Sequence, residues 1–144
     1  MKNIIMLSAL TGILTLSGCT TMKDMMGIGN SGTHNVQATA NNMAPVTSIN
    51  GVLVDSVNRM TLYTYDKDSM NKAECGSVCA VAWPPFMAPS NAKASSQFAA
   101  FQREDGTYQW AANGKPLYFY ANDTEVGDMD GNNKGGVWHI VRTK

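Results

Sequence analysis

The chain has 144 residues, of which 44% are hydrophobic and 15% are charged, enough for one modest core but not for two independent ones. Eleven basic side chains balance eleven acidic ones, so no strong field would gather phosphate backbones or acidic membrane surfaces. The composition therefore predicts one domain and argues against nucleic-acid binding.

Residues 1–18 have the features of a secretory signal peptide, with Lys2 before an apolar run over residues 4–16 and small residues at the end. A helix over this run would rise about 20 Å, less than the ~30 Å hydrocarbon core of a bilayer. The run ends in Leu16-Ser17-Gly18-Cys19, which resembles a bacterial lipobox. This resemblance implies cleavage before Cys19 and acylation of Cys19, so we expect a lipid anchor in the cell envelope.

Residues 19–45 follow as the lipidated cysteine and a flexible tether rich in Gly, Ser, Thr, Asn and Met. Thr20 stands where many Gram-negative lipoproteins carry an aspartate that resembles an inner-membrane retention signal, so we expect the outer membrane. The methionines Met22, Met25 and Met26 suit soft metals, but no histidine lies at ligand spacing, and a spacer is the favoured interpretation.

Residues 46–144 form the predicted domain, in which short β-branched and aromatic runs alternate with turn residues. Asp105-Gly106 and Asn113-Gly114 are typical of tight hairpin turns. A short helix is conceivable only in the Ala-rich segment 92–100. The predicted strands are Gly51–Ser56, Met60–Tyr65, Phe98–Arg103, Tyr108–Ala111, Pro116–Tyr120 and Val137–Arg142.

One phrase occurs twice, as LYTYDKDS at residues 62–69 and as LYFYANDT at 117–124. Ungapped extension at the same offset of 55 matches further positions, which indicates an internal duplication. We predict an all-β fold, a small antiparallel β-sandwich of two tandem hairpin repeats that turn near Asn58 and Asn113. The matched residues are Gly51, Asn58, Leu62, Tyr63, Tyr65, Asp68, Gly76 and Trp83 with Gly106, Asn113, Leu117, Tyr118, Tyr120, Asp123, Gly131 and Trp138.

The repeated phrase has apolar residues on both faces, because alternate side chains of a strand point in opposite directions. Tyr63 and Tyr65 share one face, as do their counterparts Tyr118 and Tyr120. Asp68 and Asp123 follow the strand ends, where a carboxylate accepts hydrogen bonds from turn amides or a neighbouring hydroxyl. Two interpretations remain open: core tyrosines with turn aspartates, or a cleft for an aromatic or sugar-like ligand, lined by these residues with Trp83 and Trp138.

The chain resembles a family at this point, the bacterial predicted lipoproteins with a Yx(FWY)xxD motif, also described as a secreted repeat of unknown function. Tyr63-x-Tyr65-x-x-Asp68 and Tyr118-x-Tyr120-x-x-Asp123 both fit the motif. The setting fits too, with VLVDS and WPPF around the first copy and GGVWHIV after the second. The resemblance covers about residues 51–141 and implies an envelope lipoprotein or secreted domain without an assigned reaction.

Two cysteines remain in the domain, Cys75 and Cys79. Export to an oxidising compartment predicts a disulfide between them, worth about 2 kcal/mol for so short a loop. The alternative is a metal or redox site that combines both thiols with His139, although a closed zinc site needs two further ligands. The acidic run 128–133 has oxygen ligands at alternate positions, but it lacks the glycine and the terminal carboxylate of a calcium loop, so we interpret it as a polar turn.

The sequence shows no phosphate-binding glycine loop, no HExxH motif and no nucleophile elbow, so we predict no enzyme, no metal and no cofactor. The predicted function is that of a membrane-anchored, non-catalytic binding or structural module whose partner is a small molecule or an envelope protein. The alternative function is that of a periplasmic metal-binding or thiol-redox factor that uses Cys75 and Cys79.

Overall fold

The computed structural model describes residues 41–144. The signal peptide, Cys19 and most of the tether lie outside the described residues. Within residues 41–144 no helix is long and apolar enough to cross a bilayer. The end of the tether segment is already bonded to the domain, because Asn42 O accepts from the Lys93 amide (2.8 Å) and Pro45 O from the Ser56 amide (2.7 Å).

The all-β prediction is confirmed, and every strand pair is antiparallel. The strands form three small sheets, β1-β2, β3-β8 and β4-β6-β5, with β7 also paired to β6. A four-residue helix α1 (Cys79–Ala82) and a short 3-10 helix (Lys134–Gly136) interrupt the loops. The strands are β1 (Val46–Ile49), β2 (Val52–Asp55), β3 (Tyr63–Tyr65), β4 (Met87–Ala88), β5 (Phe98–Gln102), β6 (Tyr108–Ala112), β7 (Lys115–Pro116) and β8 (Trp138–Ile140).

Two strands, β1 and β4, were not predicted, and the Ala-rich segment 92–100 contains part of β5 rather than a helix. Asn50 and Gly51 have φ of 51° and 77° and join β1 to β2 in a two-residue turn. Asn113 and Gly114, with φ of 51° and 80°, join β6 to β7 in the same way. Both Asn-Gly pairs accept the positive φ that such hairpins require.

The two tandem repeats are confirmed as residues 46–88 and 98–142, but their ungapped alignment is wrong within β2 and β6. The Leu62 amide donates to Leu53 O (3.1 Å), and the Leu117 amide donates to Trp110 O (3.0 Å). Leu53 and Trp110 are therefore equivalent although they lie 57 residues apart rather than 55. The turns at either end of these strands differ in length between the repeats, which shifts the strands by two residues.

The repeats exchange their final segments. The Leu53 amide of the first repeat donates to Val141 O of the second (2.8 Å), and the Trp110 amide of the second donates to Phe86 O of the first (2.8 Å). Tyr63 and Tyr118 face each other where the repeats meet, each amide donating to the other carbonyl at 2.8 and 3.0 Å. These paired bonds relate the repeats by a pseudo-twofold axis between the two tyrosines.

Neighbouring side chains of the repeated phrase point to opposite faces of the strand and enter two different cores, as the sequence indicates. Leu62 and Leu117 point into the first core, which also contains Leu53, Phe86, Ala88, Trp110 and Ala112. Tyr63 and Tyr118 point the other way into the second, here called the aromatic cluster. Its buried members are Tyr63, Cys75, Trp83, Tyr118 and Trp138, and its half-buried neighbours include Tyr65, Cys79 and Tyr120.

Gly131 gives a test of how tightly the aromatic cluster is packed. A Cβ atom at this position would lie 2.7 and 2.9 Å from ring carbons of Trp83 and 3.0 Å from Cγ of Tyr120. We expect Gly131→Ala to lower the free energy of unfolding by about 1–3 kcal/mol, because two large rings would have to move. Chemical denaturation measures the loss.

Gly76 is the control, since it is the glycine that the sequence offset of 55 pairs with Gly131, but it is exposed and has no atom within 4 Å of a built Cβ. We expect Gly76→Ala to stay within about 0.5 kcal/mol of the parent protein. Equal losses for the two variants would contradict the packing described here.

Candidate functional site: an aromatic cluster shared by the two repeats

The centre of the site is a column of four stacked rings in the order Tyr65, Trp138, Trp83, Tyr120. The two indoles are 3.8 Å apart between centroids with planes inclined by 3°. Tyr65 stacks on Trp138 at 4.2 Å, and Tyr120 stacks on Trp83 at 4.3 Å. Since each tyrosine stacks on the tryptophan of the other repeat, the column alternates between the repeats and obeys the pseudo-twofold relation.

Two further tyrosines meet this column edge-on. Tyr63 lies 5.4 Å from Trp83 at 79°, and Tyr118 lies 5.1 Å from Trp138 at 90°. Aromatic rings favour both offset-stacked and edge-to-face contacts because the ring edge is positive and the ring face negative. The strands of the phrase produce this arrangement, since alternate residues place all four tyrosines on the cluster side.

The motif aspartates complete the site by bonding across it. The Tyr63 hydroxyl donates to Asp123 Oδ2 at 2.5 Å, and the Tyr118 hydroxyl donates to Asp68 Oδ2 at 2.8 Å. The second oxygen of each carboxylate closes its own turn: Asp123 Oδ1 accepts from the Asp130 amide and Asp68 Oδ1 from the Glu74 amide. The first tyrosine of each motif copy is thus paired with the motif aspartate of the opposite repeat.

Burial sets the proton affinity of these groups. Burial is the largest cause that raises the pKa of Asp123 and of Asp68, opposed by the tyrosine hydroxyl and the backbone amide that each carboxylate accepts. Burial and the neighbouring carboxylate also raise the pKa of Tyr63 and Tyr118 far above the ordinary tyrosine value. Both phenols therefore remain protonated donors over the whole physiological range.

The two Tyr–Asp pairs sit in different electrostatic surroundings. Arg103 attracts the Asp68–Tyr118 pair, and its guanidinium also donates to Gln109. The Asp123–Tyr63 pair instead has acidic neighbours, since the carboxylates of Asp123, Asp128 and Asp130 offer oxygens within 4.8 Å of one another. Asp128 Oδ2 accepts from the amides of Thr124 and Glu125, which lowers its pKa. The acidic run thus forms a turn closed by carboxylate–amide bonds.

The structure shows Cys75, Cys79 and His139, the residues of the alternative metal or redox site, bonded to other groups. Cys75 and Cys79 form a disulfide whose sulfur atoms pack in the aromatic cluster. His139 lies on β8 and bonds to Asp66 Oδ2 at 2.7 Å and to Asn133 Oδ1 at 3.2 Å. As a disulfide the two sulfurs have no thiolate to offer a metal ion. The methionines at positions 22, 25 and 26 lie outside the described residues.

All eight motif residues named from the sequence are therefore brought together, but not along an open cleft. Tyr63 and Tyr118 have no exposed surface, and Trp83 and Trp138 are 7% and 5% exposed. Tyr65, Tyr120 and Asp68 are half-buried, and Asp123 is 8% exposed. Sequence reasoning missed Gly131, whose amide donates to the Tyr63 hydroxyl (3.3 Å), although its match with Gly76 was a signal.

These features define an all-β module in which two sequence repeats share one aromatic interior. The family model described as a secreted repeat of unknown function matches residues 45–87 and 99–142, and the chain belongs to this family. Searches of the curated proteins and of the solved structures found no match. The two matched segments coincide with the two structural repeats, and membership indicates a protein of the cell envelope or the extracellular space.

The exchanged Tyr–Asp bonds predict a measurable coupling between the repeats. A hydrogen bond to a charged acceptor contributes about 1.5–3 kcal/mol, and its loss leaves a buried carboxylate oxygen unpaired. We expect a double-mutant cycle with Tyr63→Phe and Asp123→Ala to give a coupling energy in that range by chemical denaturation. Tyr65→Phe combined with Asp123→Ala is the control pair, for which we expect additive losses. Additivity in the test pair would contradict a structural role for the exchanged bond.

The raised tyrosine pKa values predict instability at alkaline pH. In the unfolded chain tyrosines lose their protons near pH 10, whereas Tyr63 and Tyr118 keep theirs in the folded protein. The folded state then binds more protons, so its stability is complete below about pH 10 and falls by about 1.4 kcal/mol per pH unit for each such tyrosine.

The measurement follows tyrosinate absorbance and circular dichroism together during an alkaline titration. We expect part of the absorbance to appear only with unfolding, and Tyr63→Phe to reduce the pH slope of stability by about half. Ionisation of all five tyrosines while the fold persists would contradict this account of burial.

Proposed function

We propose that the protein is an envelope lipoprotein, anchored through acylated Cys19, whose two-repeat domain acts as a non-catalytic binding or structural module. The observation that carries the proposal is the exchange of tyrosine–aspartate bonds between the repeats. The family motif supplies the groups that acid–base chemistry would require, and here both pairs are committed to holding the repeats together. Its role in this chain is to build the domain.

The sequence of the N-terminus supports the anchor. The lipobox-like Leu16-Ser17-Gly18-Cys19 supports acylation, and several acyl chains at about 0.8 kcal/mol per buried methylene hold a protein at a membrane without a spanning helix. Thr20 after the anchor supports sorting to the outer membrane. The domain would then work at the membrane surface at the end of the tether, facing the periplasm or the exterior, with an envelope protein or a small molecule as its partner.

The non-catalytic role is supported by the state of the polar side chains. His139 is bonded on both ring nitrogens to Asp66 and Asn133, and Cys75 and Cys79 are joined to each other. The most informative experiment is a native mass spectrum of the protein extracted from its own envelope. It reads acyl chains, bound small molecules and partner proteins in one measurement; the unacylated mass would reject the anchor, and a turnover product would reject the non-catalytic role.

The anchor also predicts a change in location. We expect Cys19→Ser to abolish acylation and to move the protein from the membrane pellet to the soluble fraction, because no acyl chain remains to be buried. The paired substitution Cys75→Ser with Cys79→Ser is the control, since it removes the disulfide but leaves the anchor. Cell fractionation with intact-mass measurement checks both, and a Cys19→Ser variant that still sediments with acyl chains would contradict the proposal.

A further inference from the structure

The aromatic cluster has a second property beyond holding the repeats together. Its four stacked rings form a continuous π column, in which no centroid distance between neighbours exceeds 4.3 Å. Indole and phenol rings give up a single electron more readily than most other side chains. Face-to-face contact at such distances lets an electron vacancy spread over neighbouring rings, so the column is an electronic unit rather than four separate side chains.

The column also has proton acceptors where an oxidised phenol requires them. A phenol that loses an electron becomes strongly acidic, and its oxidation is easy only when a base lies within about 2.6–3.2 Å of the hydroxyl. The Tyr63 hydroxyl is 2.5 Å from Asp123 Oδ2, and the Tyr118 hydroxyl is 2.8 Å from Asp68 Oδ2. Each of these phenols is also edge-on to a column indole, Tyr63 to Trp83 and Tyr118 to Trp138.

The column has two ends that reach the surface, while its centre is protected. Tyr65 and Tyr120 are half-buried at the ends, and the indoles between them are at most 7% exposed. Tyr63 and Tyr118 have no exposed surface. An oxidant therefore contacts the outer tyrosines, whereas a radical on the inner tyrosines is shielded from solvent and from coupling with a second radical.

We propose that the aromatic cluster is a one-electron relay that takes up an oxidising equivalent at its surface tyrosines and holds it on Tyr63 or Tyr118. The reaction partner is an outer-sphere one-electron oxidant, such as a high-potential metal complex or a carbonate radical. This activity goes beyond the anchored module proposed above and does not depend on the lipid anchor.

The oxidant removes one electron from the column and is itself reduced by one electron, which leaves an indole radical cation at Trp83. Tyr63 then gives one electron to Trp83 and its hydroxyl proton to Asp123 Oδ2. The products are the reduced oxidant, a neutral Trp83, a neutral tyrosyl radical at Tyr63 and a protonated Asp123.

The test is flash photolysis of the full chain in detergent with a ruthenium polypyridyl photo-oxidant and an electron scavenger. In the parent protein we expect an indole radical signal that decays into a long-lived phenoxyl signal, and a slower decay in deuterated water because a proton moves with the electron. No variant is needed for that result. Decay at the same rate in both solvents, or the absence of a long-lived phenoxyl signal, would overturn the proposal.

Variants then locate the radical. We expect Tyr63→Phe combined with Tyr118→Phe to lose the long-lived phenoxyl signal, provided that circular dichroism shows a folded chain. Tyr108→Phe is the control, because Tyr108 packs against the first core and outside the column. A signal that survives the double substitution in a folded chain, or that disappears with Tyr108→Phe, would assign the radical to an ordinary surface tyrosine and reject the relay.

Discussion

The fold depends on the hydrogen bonds that Tyr63 and Tyr118 send to the aspartates of the opposite repeat. A buried phenol and a buried carboxylate each cost free energy unless they are paired, and here each pair draws one member from either repeat. A single repeat would therefore keep a buried tyrosine and a buried aspartate without partners. It would also lose the tryptophan of the other repeat, which stacks on its own tryptophan. One copy by itself therefore cannot form this interior.

The equivalent loops of the two repeats are held by different chemistry. In the first repeat the segment between the motif aspartate and the tryptophan is closed by the Cys75–Cys79 disulfide. The second repeat has no cysteine, and there Asp128 closes the loop by accepting from the amides of Thr124 and Glu125. Both devices bring a tryptophan back to the same stack. The disulfide therefore serves to close a loop that both repeats must close, and it is not evidence of thiol chemistry.

Much of this arrangement is legible in the sequence because strand geometry has a fixed period. Alternation within the phrase separates Leu62 from Tyr63 and predicts two apolar faces, which became the two cores. The sequence did not reveal the loop lengths: turns of different length in the two repeats shift β2 and β6 by two residues against the alignment of the phrase. The unpredicted strand β1 has one usable signal, the Asn50-Gly51 pair, which forms the same kind of turn as Asn113-Gly114.

The partner of each motif aspartate was the feature that sequence reasoning could not supply. The motif places Asp68 five residues after Tyr63, so a bond within one copy and a bond between copies are equally compatible with the pattern. The twofold contact of Tyr63 with Tyr118 decides the matter, because it points each ring towards the loop of the other repeat. A motif that recurs for this reason reports on how the domain closes.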